Sequence, residues 1–147
     1  MILLDTLKVY HRSESKLIEL YSGDLTDLSP EEAVDVLVVS AFSGDYAPTY
    51  SSLIGALYRK GLSVDQLARS KALDLRETFS CWMSQEIEPK RPGLEFKRLV
   101  CFESPLIGTA ASRVGDIFQA LAACLGDENP LSTVAMPIVA SGNQGYR

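Results

Sequence analysis

The chain has few of the residues on which metal and thiol chemistry depend. Its 147 residues include one histidine, His11, and three cysteines, Cys81, Cys101 and Cys124. The cysteines lack the spacing of a metal site, and no histidine is placed to activate one of them as a nucleophile. Each cysteine lies in an apolar stretch, so we expect reduced core thiols in a cytoplasmic protein. Neither a metal nor a cofactor is expected.

Basic charge and long apolar runs are also scarce. The formal net charge is -5, with 14 basic and 19 acidic residues, which disfavours nucleic-acid binding through a basic surface. No apolar run approaches the roughly 20 residues of a membrane span. The first five residues lack the basic segment of a signal peptide, so we expect none. With 46% hydrophobic and 22% charged residues, the composition is typical of a soluble globular domain.

Five segments have the pattern of β-strands. Residues 34–39 are almost all β-branched or apolar, as expected of a strand that is covered on both faces. The other predicted strands are residues 16–21, 78–83, 98–102 and 133–140. A polar turn at residues 88–94 separates the third predicted strand from the fourth.

Helical spacing appears between these strands. Residues 50–60 carry apolar side chains on one face and end at Gly61, and a short helix begins at Ser63, whose side chain can cap it. A third helix runs from Ser112 to the stop at Gly126. Its apolar face comprises Val114, Ile117, Phe118, Leu121, Ala122 and Leu125. Strands that alternate with helices predict the α/β class, with a mixed β-sheet sandwiched between helices, in one domain.

Two loops follow predicted strands and have the composition of ligand loops. One covers residues 40–45 and the other residues 140–146, and both contain small residues and glycine. In open α/β sheets, ligands lie beyond the carboxyl ends of the strands. Backbone N–H groups in such loops can turn inward around an anion. On this pattern alone, two ordinary turns are the simpler interpretation.

Taken in order, these segments resemble a macro domain, the α/β module that binds ADP-ribose. Residues 23–26 (GDLT) resemble the family's G-D-I-T, and residues 34–41 (VDVLVVSA) resemble its strand V-D-A-I-V-N-A-A. Residues 52–61 are similar to the helix after the first ligand loop, and residues 99–105 stand where the family has V-I-H-x-x-x-P. Residues 136–146 (MPIVASGNQGY) resemble P-x-I-S-T-G-x-x-G-Y-P. The resemblance extends over residues 17–146.

The resemblance implies a three-layer α/β/α fold and binding of ADP-ribose or a related NAD-derived nucleotide. It implies that Asp24 accepts a hydrogen bond from the adenine amino group. The backbone around Ser43 and Gly44 would bind one phosphate and the second loop the other, with Phe42 or Tyr146 stacking on a ribose or base. The implied ligand-binding residues are Asp24, Ser40, Phe42, Ser43, Gly44, Asp45, Ser141, Gly142, Asn143, Gln144, Gly145 and Tyr146.

The chain departs from the family where catalysis would be carried. Ser40 and Ser43 stand where hydrolytic members keep asparagine, and Phe102 replaces the strand histidine. We therefore expect a non-catalytic binder that acts as a sensor or recruitment module. Two alternatives remain open: a degenerate domain with a closed pocket that binds proteins, and an ADP-ribosyl hydrolase. Asp24 and Asp45 also fit ordinary turn positions.

The sequence ends on the second ligand loop. In the family this loop is followed by a helix and often by a closing strand, and neither follows residue 147. We therefore expect an N-terminal fragment of a longer multidomain protein, whose missing elements come from its other domains or from a partner chain.

Overall fold

The computed structural model describes residues 1–11, 13–103, 110–126 and 133–138. The strands in chain order are β1 (Ile2–His11), β2 (Glu14–Ser22), β3 (Val34–Ala41), β4 (Lys71–Leu75), β5 (Cys81–Ser84), β6 (Phe96–Glu103) and β7 (Val134–Ala135). The α-helices are α1 (Leu53–Arg59), α2 (Val64–Ala68), α3 (Arg76–Phe79) and α4 (Ala110–Leu125).

Five strands form a mixed sheet in the order β4-β5-β6-β3-β7. The strand β3 lies between β6 and β7 and is parallel to both, whereas β5 is antiparallel to β6 and to β4. Residues 36–39 of β3 are buried, as their apolar pattern predicts for a strand covered on both faces. The predicted α/β class with a mixed sheet is therefore confirmed.

Helix residues pack against both faces of this sheet. Leu37 of β3 belongs to a core cluster that includes Leu57 of α1 and Val64 of α2. The next residue along the strand, Val38, belongs to a second cluster that includes Ile117 of α4. Because side chains alternate along a strand, α1 and α2 cover one face and α4 covers the other.

The helix ends follow the sequence signals. The Ser52 hydroxyl accepts a hydrogen bond from the Gly55 backbone N–H at 2.9 Å, and the Ser63 hydroxyl accepts one from Gln66 at 3.3 Å. Gly61 after α1 has a φ of +84°, which a glycine adopts without steric cost. These contacts confirm the predicted cap at Ser63 and the stop at Gly61. None of the helices in the described ranges has both the length and the apolar composition to span a membrane.

Parts of two predicted strands were wrong. Thr78 and Phe79 belong to α3, and β5 begins only at Cys81, because Ser80 adopts a left-handed conformation with φ 53° that ends the helix. The strand predicted at residues 133–140 is limited to Val134–Ala135 in the described residues, and residues 139 and 140 lie outside them.

The predicted apolar face of the last helix also needs correction. Phe118 is 54% exposed, and Ala122 is exposed as well. Ala120 and Cys124 are buried instead, so the face that α4 turns to the sheet is rotated from the predicted one.

The strands β1 and β2 form a separate antiparallel hairpin, of which the sequence predicted only the second strand. Leu7 lies opposite Ile18, so both side chains are on the same face of the hairpin. Large apolar side chains are exposed on both strands: Ile2, Leu3, Leu4, Leu7, Val9, Tyr10, Leu17, Ile18, Leu20 and Tyr21. An isolated two-stranded hairpin is marginally stable in water. Ten of the fifteen exposed large hydrophobic side chains in the described residues lie on this hairpin.

Candidate functional site

We use the name crevice for the place where the carboxyl ends of two parallel strands of the five-stranded sheet meet. The strands β3 and β6 are parallel neighbours that end side by side, with Ala41 opposite Glu103. After β3 the chain leads to α1 on one face of the sheet, and after β6 it leads to α4 on the opposite face. Adjacent strands whose connections leave toward opposite faces create the position where open α/β sheets bind ligands.

The chain leaves β3 through a tight turn. The Asp45 backbone N–H donates a hydrogen bond to the Phe42 carbonyl at 3.0 Å, and Gly44 adopts a φ of +68°, which favours glycine. The Asp45 side chain accepts a hydrogen bond from the Ala47 backbone N–H at 3.0 Å. Asp45 therefore stabilises the exit of the turn, which was one of the two interpretations open for this residue.

A buried carboxylate holds this turn in place. Glu103 is 6% exposed and accepts hydrogen bonds from the Ser43 hydroxyl at 3.3 Å and the Gly44 backbone N–H at 3.2 Å. It also accepts one from the Trp82 indole at 3.1 Å and one from the Tyr46 hydroxyl. A carboxylate offers about four acceptor positions, so these four donors satisfy Glu103.

Tyr46 and Trp82 support the carboxylate from the β5 side. Trp82 is fully buried, and its indole N–H also lies 3.2 Å from the Tyr46 hydroxyl oxygen. The two rings pack edge to face with their centroids 5.8 Å apart. Burial, followed by the hydrogen bond to Glu103, raises the pKa of Tyr46 above its ordinary value. The phenol therefore stays protonated and remains a donor to Glu103.

Sequence reasoning missed Glu103 as a functional residue. The available signal was an acid at the end of an apolar strand, next to the loop already singled out. Since buried acids need hydrogen-bond donors, that position predicts a polar cluster. The donors themselves come from two other segments of the chain, and the sequence pattern does not reveal that they converge.

The predicted phosphate donors of the first loop are engaged internally. The Ser43 hydroxyl and the Gly44 N–H both donate to Glu103. A phosphate on the same two donors would lie close to a buried negative charge, and the two anions would repel each other. The first loop is thus closed around the carboxylate of Glu103 on β6.

The remaining predicted residues of this loop are placed differently. The Phe42 side chain is 44% exposed, and Ser40 is half-buried. Phe102, which stands where the resembling family has histidine, is 1% exposed and packs in the core on the α4 side. Phe42 is therefore the one aromatic ring of the turn that a ligand can reach.

Asp24 lies in a separate turn after β2. Its Oδ1 atom accepts hydrogen bonds from the Thr26 backbone N–H at 2.8 Å and the Thr26 hydroxyl at 2.7 Å. These two bonds lower the pKa of the Asp24 carboxyl, and the charges of Lys60 and Arg59 at the end of α1 lower it further. No hydrogen bond joins Asp24 to the turn at residues 42–45 within the described ranges. Asp24 is thus a turn-stabilising residue, as one of the two interpretations of the sequence expected.

The second predicted loop, with Ser141, Gly142, Asn143, Gln144, Gly145 and Tyr146, lies outside the described residues. The strand β7, which precedes it in sequence, is parallel to β3 and runs toward the same edge of the sheet. Among the residues that the structure describes, no group of three or more histidine, cysteine or acidic side chains could hold a metal ion.

No family model, no curated protein and no solved structure matches the chain.

Proposed function

We propose that this chain is a non-catalytic binding module for ADP-ribose or a related NAD-derived nucleotide. The observation that supports it is that β3 and β6 are parallel neighbours, followed by helices that pack on opposite faces of the sheet. The resemblance to macro domains supports both the ligand class and the arrangement of the sheet between two helical layers.

In this proposal the two loops have different tasks. The exposed Phe42 ring stacks on a ribose or base, while backbone N–H groups of residues 141–145 bind the phosphates. Glu103 keeps phosphate away from Ser43 and Gly44, because its own negative charge already occupies those donors. The phosphates are therefore assigned to the second loop alone.

Adenine recognition by Asp24 is compatible with its turn contacts. Both hydrogen bonds from Thr26 end on Oδ1, which leaves Oδ2 as an acceptor for an amino group. The lowered pKa of Asp24 keeps the carboxyl ionised, and an ionised carboxylate only accepts hydrogen bonds.

A binding role fits the acids of the crevice better than hydrolysis does. Glu103 has four donors and no remaining acceptor position for a water molecule. Asp45 is bonded to the Ala47 backbone, and the two serines replace the family's asparagines. General base catalysis requires a group within hydrogen-bond reach of the attacking water, and among the acids Asp45 and Glu103 only the exposed Asp45, through its Oδ2 atom, remains open to water.

Isothermal titration calorimetry with ADP-ribose tests this function. We expect micromolar affinity, or a binding free energy of about −8 kcal/mol. Phe42→Ala should weaken binding about tenfold, because stacking of a base on an aromatic ring contributes roughly 1–3 kcal/mol. Phe118→Ala is the matched control, since Phe118 is another exposed phenylalanine, on α4. Millimolar ADP-ribose that gives neither heat nor a thermal shift would reject the proposal.

The β1–β2 hairpin favours a second candidate function, protein interaction by strand addition. A partner strand can pair with the free backbone edge of β2, while its apolar side chains cover Ile18 on one face of the hairpin and Leu17 on the other. Both side chains are more than half exposed, at 61% and 51%. We expect this surface to be buried against a partner, because exposed apolar edge strands associate readily with other chains.

Sedimentation velocity tests this candidate. Without a partner the hairpin should pair with a second copy of the chain, so we expect the average mass to rise with concentration. Changing Leu7 and Ile18 together to lysine should give a monomer, because both lie on the same face of the hairpin. Tyr50→Lys is the control, because the Tyr50 side chain lies outside the hairpin and is 89% exposed. It should leave association unchanged. A parent chain that stays monomeric at several hundred micromolar contradicts this function.

A further inference from the structure

Two of the three cysteines lie against each other in the core. The sulfur atoms of Cys81 on β5 and Cys124 near the end of α4 are 3.7 Å apart, and both side chains are buried. They belong to the core cluster on the α4 side of the sheet. Cys101 is buried too, but it packs in the cluster on the opposite face. The chain thus contains a close thiol pair and a matched single thiol.

The two thiols share a hydrogen bond, so they titrate as a pair. This bond and burial both raise the pKa of Cys81. The same bond lowers the pKa of Cys124, although burial of that thiol acts to raise it. For Cys101, burial without a thiol partner raises the pKa. Since the thiolate is the form that reacts with oxidants, the pair is the more reactive site.

We propose that Cys81 and Cys124 form an oxidisable dithiol, which a peroxide converts to a disulfide that ties the end of α4 to β5. In the first step the Cys124 thiolate attacks one peroxide oxygen, forms a sulfenic acid and releases hydroxide. The Cys81 sulfur then attacks the sulfenyl sulfur, the S–S bond forms, and the leaving hydroxide takes the Cys81 proton as water. Overall, two thiols lose two electrons and two protons, and hydrogen peroxide becomes two molecules of water.

The geometry suits this reaction. A disulfide has a sulfur–sulfur distance of about 2.05 Å, so the two atoms must approach by less than 2 Å. Cys124 is next to the last residue of α4, where a helix end can shift more easily than its middle. Because both thiols are buried, peroxide reaches them only when this end of the helix opens, and the reaction should take minutes to hours.

The disulfide would also affect the hydrogen bonds of Glu103, which holds the turn after β3. Ser80, which precedes Cys81, accepts a hydrogen bond from the Glu103 backbone N–H at 2.7 Å. Trp82, which follows it, donates to the Glu103 carboxylate. A change in the position of Cys81 therefore reaches the residue that holds the turn after β3. Trp82 is the only tryptophan of the chain, so its fluorescence reports this change.

The test uses the whole chain and hydrogen peroxide. After oxidation, unfolding and alkylation, peptide mass spectrometry should show a Cys81–Cys124 disulfide with a loss of about 2 Da, and an alkylated Cys101. The melting temperature should rise by about 10 °C, since the bond closes a loop of more than 40 residues. The emission of Trp82 should change as well. The Cys101→Ser variant should form the same disulfide, and Cys124→Ser should form none.

Three results would overturn the proposal. They are a disulfide that contains Cys101, sulfinic acid on single cysteines without a cross-link, and a folded chain that keeps both thiols after hours in peroxide. The peptide map of the unchanged chain decides among these results even where Cys124→Ser fails to fold. None of these readouts requires a nucleotide, so a failure of the proposed ligand leaves the test intact.

Discussion

Glu103→Gln is expected to lower the free energy of unfolding by about 3 kcal/mol, because a glutamine cannot accept from four donors at once. Its carbonyl oxygen can accept two hydrogen bonds, and its amide group presents N–H donors to the remaining two partners. Those partners lie among Ser43, Gly44, Tyr46 and Trp82. Since Glu103 is buried, water cannot replace the lost acceptor.

Guanidinium unfolding followed by Trp82 fluorescence measures this loss. Tyr46→Phe is the graded control, because it removes one donor and leaves the carboxylate with three. We expect it to cost about 1 kcal/mol, and the Trp82 emission should change less than in the glutamine variant. If Glu103→Gln is as stable as the parent, the carboxylate does not hold the turn.

Gly55→Ala is the second change with a large expected effect. A Cβ atom at Gly55 would lie 1.8 Å from the Thr49 carbonyl oxygen, much closer than any real contact. The same carbonyl accepts hydrogen bonds from the Ser52 backbone and hydroxyl, and Ser52 caps α1. Relief of the clash must therefore move the turn that starts the helix. We expect a loss of about 3 kcal/mol and a melting temperature about 10 °C lower in calorimetry.

Gly115→Ala is the matched control for this prediction. Gly115 also lies within a helix, α4, but a Cβ atom there would meet nothing within 4 Å. Alanine has the higher helix propensity, so this variant should gain up to about 1 kcal/mol. Equal effects of the two changes would show that helix propensity, rather than the contact with Thr49, decides the outcome at Gly55.

The sequence predicted those elements whose pattern reflects burial. The strand β3 lies in the interior of the sheet, between β6 and β7, and is apolar at every core position, so its pattern identified it. The cap of α2 at Ser63 was predicted from the sequence, whereas the cap of α1 at Ser52 lies within the range that was predicted as helix. The expectation that all three cysteines are buried, free thiols is confirmed as well.

Of the two exposed strands of the hairpin, β2 was predicted from its alternation, whereas β1 escaped prediction. The strand β1 is exposed along the residues whose side chains are described, and a register shift between Leu3 and Asp5 interrupts its alternation. The edge strand β4 is only half-buried. The position of the first loop was predicted in part, since residues 42–45 form a turn directly after β3, whereas Ser40 and Ala41 still belong to the strand. Its link to Glu103 depends on the pairing of β3 with β6, which no local pattern encodes.

The central claim is that the nucleotide binds in the crevice after β3 and β6. An NMR titration of the ¹⁵N-labelled chain with ADP-ribose tests it most directly, because each backbone amide reports its own surroundings. The account predicts saturable shifts in the amides of Phe42, Ser43 and Gly44 and in the Trp82 indole, with Leu17 and Ile18 of the hairpin unchanged. Shifts confined to the hairpin, or none at millimolar ligand, would contradict it.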